Sequence, residues 1–201
     1  MAYKVLNNVQ LKDATGVSSL STDMLVLVIN KNTKNDSSFM ELNKKSKNYL
    51  SKTIKSHEFY GKQDKVVFSY HGIPKKYFDE GDPYHCFCQK TSRLVAETLG
   101  LEENQYITSF QSRLAAAGRE WLKPYTSELM EKLPTEGVKK ILILSPGFSM
   151  DCLETIEEID EENKEIFLDS GGEAFHYIAC LNDNDEHVEA INNLIENKIS
   201  V

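Results

Sequence analysis

The chain is 201 residues long and 40% hydrophobic, with 31 acidic against 23 basic residues and a net charge of −8. That length builds one full-sized core and little more, and the acidic balance excludes a protein that holds nucleic acid through a basic footprint. The longest apolar run, Met24–Ile29, is far short of the roughly 20 residues that span a bilayer, and the first residues lack the apolar core of a secretory signal.

Residues 1–23 are rich in Asn, Lys, Thr, Ser and Gly without periodicity and read as a weakly structured leader, which leaves 24–201 as a single α/β domain. A cytoplasmic location is expected. The four cysteines, at 86, 88, 152 and 180, are too few and too uneven for a disulfide framework, so reduced thiols are the default. Met24–Ile29 reads as a buried strand running into the turn-forming residues 30–36, after which Ser37 or Ser38 caps a helix to about Ser56. The alternation then repeats. Val66–Tyr70 is a predicted strand, Cys88–Leu99 a helix capped by Gly100, Gln105–Phe110 a strand, and Trp121–Leu133 a helix interrupted near Pro124 and stopped by Pro134. Ile141–Leu144 follows as a strand, Asp151–Leu168 as a helix closed by Gly171-Gly172, Phe175–Ala179 as a strand and His187–Asn197 as the last helix. Strands joined by helical crossovers predict a doubly wound parallel sheet of four to five strands with helices on both faces.

Two segments carry the chemistry. Ser69-Tyr70-His71-Gly72-Ile73-Pro74 follows the strand at 66–70, so a tight turn holds the His71 imidazole at the sheet's carboxyl edge, where open α/β sheets build their sites. Asp151–Glu165 follows the strand at 141–144 and holds eight acids against one lysine; Glu154, Glu158 and Glu162, at i, i+4 and i+8, fall on one helical face. Like charges at that spacing repel by a few tenths of a kcal/mol per pair. A solvated face at a helix N-terminus tolerates this, and a divalent cation moving along the carboxylates would exploit it. Phe110-Gln111-Ser112-Arg113 and Gly118-Arg119-Glu120-Trp121-Leu122 add arginines, for pairing a ligand carboxylate, and an indole that either lies against a flat apolar ligand or packs in the core. Cys86-Phe87-Cys88 has no second cysteine pair or histidine pair and predicts neither zinc nor an iron–sulfur cluster.

These segments, with Asp79–Tyr84, Trp121–Thr126, Pro146-Gly147-Phe148 and Cys180-Leu181-Asn182-Asp183, resemble ferrochelatases in order and near-spacing over residues 24–197, as the carboxy-terminal lobe of that family. The resemblance implies a chelatase-type, Rossmann-like lobe that inserts Fe²⁺ into protoporphyrin IX to give haem and two protons. Iron is then a substrate, and no organic cofactor is implied. By the same resemblance, His71 and Glu154 are catalytic, and His71, Glu154, Glu158 and Glu162 handle the metal. Asp151, Trp121, Phe148, Ser112 and Arg113 are implied to meet the porphyrin.

Two departures from the family pattern stand out. Cys152 occupies a position where many relatives carry histidine, and Ala115-Ala116-Ala117 lengthens the loop before Gly118. The family's amino-terminal lobe, which makes the other wall of the porphyrin cleft, is not matched. A homodimer or a separate amino-terminal lobe is therefore an expected partner, with at most peripheral membrane contact. The alternatives are a non-catalytic haem- or porphyrin-binding module, or a chelatase for another metal or tetrapyrrole.

Overall fold

The computed structural model describes residues 64–114 and 118–199. The leader, the strand expected at Met24–Ile29 and the helix expected up to Ser56 lie outside the described residues. Four strands are described: β1 (Asp64–His71), β2 (Tyr106–Gln111), β3 (Lys140–Leu144) and β4 (Ala174–Ile178). They form one sheet in the order β2-β1-β3-β4, with every pairing parallel. The helices are α1 (Lys75–Asp79), α2 (Tyr84–Leu99), α3 (Thr126–Thr135), α4 (Leu153–Thr155), a π-helical segment Ile156–Asn163, α5 (Lys164–Asp169) and α6 (Asp185–Ile199). Among the described residues no helix is long and apolar enough to cross a membrane.

Alternation along the strands builds two cores. Val66, Phe68 and Tyr70 of β1, with Leu142 and Leu144 of β3, face Tyr84, Cys88 and Ala96 of α2. Val67, Ile141 and Ile143 point the other way, onto Met130 and Leu133 of α3, Ile159 of the π segment and Phe167 of α5. Period-two side chains on a sheet covered on both faces require this split, and each large apolar side chain buried contributes about 1.5–3 kcal/mol. The predicted helices on both faces are therefore present.

The strand order reverses between β1 and β3, its central pair. Chain connections leave these two strands in opposite directions, which opens a crevice at their carboxyl ends. His71 ends β1, and the turn Ser145–Phe148 follows β3. Topology alone thus brings the histidine segment to the acidic segment.

Two expected helices differ. Residues 121–125 are not helical: Trp121 bridges Pro74, the Leu122 N–H donates to the Ile73 carbonyl at 3.0 Å, and the Lys123–Pro124 peptide is cis. This stretch pairs with the segment after His71 instead, and α3 begins only at Thr126. Pro134 sits inside the last turn of α3 and does not stop it.

The single helix expected over Asp151–Leu168 is α4, a π segment and α5 in succession. Its buried row explains why. Thr155, Ile159, Asn163 and Phe167, all 2% exposed or less, recur strictly every four residues. In an α-helix of 3.6 residues per turn such a row drifts by about 40° per step. A π segment, with i→i+5 bonds and about 4.4 residues per turn, drifts the opposite way and brings the row back onto the sheet.

Candidate functional site

His71 is half-buried at the end of β1, and three contacts hold it. The Tyr84 hydroxyl donates to the His71 carbonyl at 2.7 Å, the Gly72 N–H donates to the Gln111 carbonyl at 2.8 Å, and the His71 Nδ1 lies 2.7 Å from the Gly72 carbonyl. A carbonyl only accepts, so Nδ1 carries the proton of the neutral ring. Nε2 is left with its lone pair, free to take a proton or bind a metal. The Phe148 ring stands 6.3 Å from the imidazole across the crevice, tilted by 42°.

Glu154 enters from α4. Its carboxyl is held below the usual carboxylate range first by a hydrogen bond from the Cys152 thiol, then by its own backbone N–H and, against some cost of burial, by the nearby His71 when that ring is protonated. The two side chains therefore share one electrostatic neighbourhood. The structure brings together His71, Glu154 and Phe148 out of the residues expected there.

Asp151 is engaged by four protein partners. Its Oδ1 accepts from the Tyr177 hydroxyl at 2.6 Å, the Thr155 hydroxyl at 3.1 Å and the Cys180 N–H at 3.2 Å, and its Oδ2 accepts from the Asn182 amide at 2.7 Å. Burial opposes the charge of Asp151, but the bonds from Tyr177, Asn182 and Cys180 outweigh it and bring the carboxyl down to about 2. Burial also pushes the neighbouring Cys180 thiol up to about 12. The carboxylate fastens the loop before α4 to the loop after β4. Asn182, in the left-handed region at φ 48°, completes the link by accepting from the Asp151 N–H at 2.8 Å.

This carries a stability prediction. A carboxyl depressed below its unfolded value stabilises the fold above that value and loses the contribution as pH falls through the folded one. The chain is expected to lose on the order of 1 kcal/mol between about pH 4 and pH 2 from this group, a figure already discounted for solvent screening. Acid melts of Asp151→Asn should be flatter across that window than those of the parent.

The acidic ladder is divided by its partners. Glu158 accepts from the Ser112 N–H at 2.6 Å and the Ser112 hydroxyl at 2.9 Å, which holds Ser112 at φ 61° just past β2. Glu162 is exposed. Among the described residues no group of three or more His, Cys, Asp or Glu side chains is gathered closely enough to hold a metal ion. The carboxylates stand in file next to the buried row, with Glu158 already engaged. Glu158→Ala should cost about 1–2 kcal/mol, read by denaturant unfolding, since it strips charge-assisted bonds from Ser112.

Two further residues expected to meet the porphyrin, Trp121 and Arg113, have protein partners of their own. Trp121 is 7% exposed and packs behind Gly72, and its indole N–H has no hydrogen-bond partner. The Arg113 guanidinium lies 4.2 Å from the centre of the Tyr125 ring and 3.8 Å from a Glu128 carboxylate oxygen. Cys88, buried, has its thiol pushed up to about 12 by that burial, and Cys86 is exposed; both are free thiols. Sequence reasoning gave no role to Gln111, Tyr177 or Asn182. Their polarity at the ends of apolar strands was the signal available.

Comparison with known proteins places the chain in a family. The family model for ferrochelatase matches residues 23–199. The chain is 54% identical over 151 residues to a ferrochelatase of Marinobacter nauticus, covering 75% of this chain and 40% of that protein. It is 55% identical over 140 residues to a ferrochelatase of Idiomarina loihiensis, covering 70% and 38%. A solved structure of a CbiX protein of cobalamin (vitamin B12) biosynthesis from Marinobacter aquaeolei VT8 aligns over 68% of this chain and 98% of its own at a TM-score of 0.44 and 10% identity. The chain spans about two fifths of the length of the curated relatives it matches.

Proposed function

Because the chain belongs to the ferrochelatase family, we propose that it supplies one wall of a porphyrin-metallating cleft, in which Fe²⁺ is inserted into protoporphyrin IX to give haem and two protons. The observation that carries this reading is the convergence of His71 and Glu154 at the carboxyl ends of the two central strands, beside the Phe148 ring.

Metallation must remove two pyrrole protons while a ferrous ion enters from one face. His71 meets the first need: with Nδ1–H fixed on the Gly72 carbonyl, Nε2 presents its lone pair to a porphyrin N–H. Glu154, held ionised by the Cys152 thiol, stabilises the imidazolium formed when His71 takes the first proton and accepts the second proton. Phe148 offers an apolar edge to the macrocycle. Glu158 and Glu162, farther along the same file, would pass protons or the incoming cation to and from solvent. The opposite face of the porphyrin is met by protein beyond this wall, from a second copy or a separate lobe.

Fluorescence quenching of protoporphyrin by the purified chain, followed by anaerobic addition of Fe²⁺, tests the proposal. Binding followed by the absorption spectrum of haem is expected, with insertion but not binding removed in Glu154→Gln. A chain that binds haem equally well but never converts protoporphyrin, even with its partner wall supplied, would identify a porphyrin-binding module.

A further inference from the structure

Gln111 is the last residue of β2 and is 2% exposed, yet three of its polar groups make four hydrogen bonds at the edge of the crevice. Its side-chain Oε1 accepts from the Ser69 hydroxyl at 2.7 Å and the Ser145 hydroxyl at 3.2 Å. Its Nε2 donates to the Glu154 carbonyl at 2.5 Å. Its backbone carbonyl receives the Gly72 N–H at 2.8 Å. The amide can face only this way: the Glu154 carbonyl needs a donor, whereas the hydroxyls donate or accept as required. One buried residue therefore holds the residue after His71 by its main chain and Glu154 by its side chain.

We propose that Gln111 is a positioning residue of the metallation reaction, setting the distance between His71 and Glu154 by tying α4 to the ends of β1, β2 and β3. The proposal rests on the reading of His71 and Glu154 as the working pair. Those two groups sit on elements that share no strand pairing; Asp151 and Glu158 anchor the chain on either side of Glu154, and the Gln111 amide bonds Glu154 itself. A buried amide with both ends engaged is rigid, because rotating it strands a donor or an acceptor away from water. Misplacing a reacting group by about an ångström can cost on the order of 100-fold in rate, so a side chain that touches neither porphyrin nor metal can still govern the reaction.

Two variants and two readouts test this. Gln111→Met keeps the volume and removes all three side-chain bonds; Gln111→Glu keeps the shape, but as a carboxylate has no hydrogen for the Glu154 carbonyl. In the chain itself, at one fixed pH, Glu154→Gln should shift the His71 ring resonances in NMR spectra, and this shift should fall at least about twofold when Gln111→Met is also present. In the metallation assay with both walls present, Gln111→Met should lower kcat about tenfold or more with KM within about twofold. Relative to the parent, Gln111→Glu should recover as pH falls from about 8 to about 5, because its protonated acid again donates to the Glu154 carbonyl, while Gln111→Met stays low throughout. An unchanged shift in the Gln111→Met background, with a cooperative melt, overturns the proposal whether or not the parent metallates. If the parent shows the shift but no metallation, the proposed function fails while the positioning geometry stands. Equal kcat for parent and Gln111→Met would also overturn it.

Discussion

His71→Ala is expected to abolish metallation while leaving the fold nearly intact. The imidazole is half-buried at a sheet edge, makes its one side-chain bond to the adjacent Gly72 carbonyl, and contributes little to either core cluster. Its loss should cost less than about 1 kcal/mol in stability. The effect on rate should be at least about 100-fold, the lower range for removing a positioned general base. Stopped-flow metallation with Zn²⁺ as a surrogate cation, beside thermal melts, checks both halves of the expectation. A variant that inserts metal at the parent rate would remove His71 from the mechanism.

Gly72→Ala should do the reverse and injure the fold first. A Cβ at position 72 would lie 2.8 Å from the Gln111 carbonyl oxygen and 3.3 Å from Trp121 Cε3, and the first of these is backbone. Relief requires the ends of β1 and β2 to part, breaking the Gly72–Gln111 bond that fixes the turn. Overpacking of this kind costs about 2–3 kcal/mol, or a fall of roughly 5–10 °C in melting midpoint for a chain of this size. Because His71 is the neighbouring residue, activity should fall with it. By contrast Gly100, at φ 73° with open space around it, is a helix cap, and Ala there should cost only about 1 kcal/mol.

The sheet and its flanking helices were legible because period-two burial and helix caps are local. Val66–Tyr70, Ile141–Leu144 and the helix ending at Gly100 all appear where the residue pattern put them, within a few residues at their ends. Trp121–Tyr125 was misread because its apolar residues fit a helix; what opposes the helix is pairing with Ile73 and Pro74, about 50 residues earlier, which no local pattern contains. The π segment did leave a trace, the strict four-residue spacing of Thr155, Ile159, Asn163 and Phe167, which a reading tuned to 3.6 residues absorbs without notice.

At the site, position along the chain was enough to place His71 and Glu154, because strand order dictates the crevice. It did not reveal the protein partners of Asp151, Arg113 or Trp121. Each has the expected residue type near the expected edge, and its partners, Tyr177 and Asn182 for Asp151, Tyr125 for Arg113, and Gly72 behind Trp121, come from distant elements. Gln111 escaped notice for the same reason, its four bonds being visible only once three strands lie side by side.

The most direct test of the one-wall account is the specific rate of anaerobic Fe²⁺ insertion into protoporphyrin, measured across a range of protein concentrations in samples sized by light scattering. A porphyrin held on a single face loses the preorganisation that metal entry requires. The account predicts slow insertion by the monomer, with a specific rate that climbs as dimers form or as a partner lobe is added. A rate that is high and independent of concentration in a sample shown to be monomeric would contradict it, and would mean that this chain closes the cleft alone.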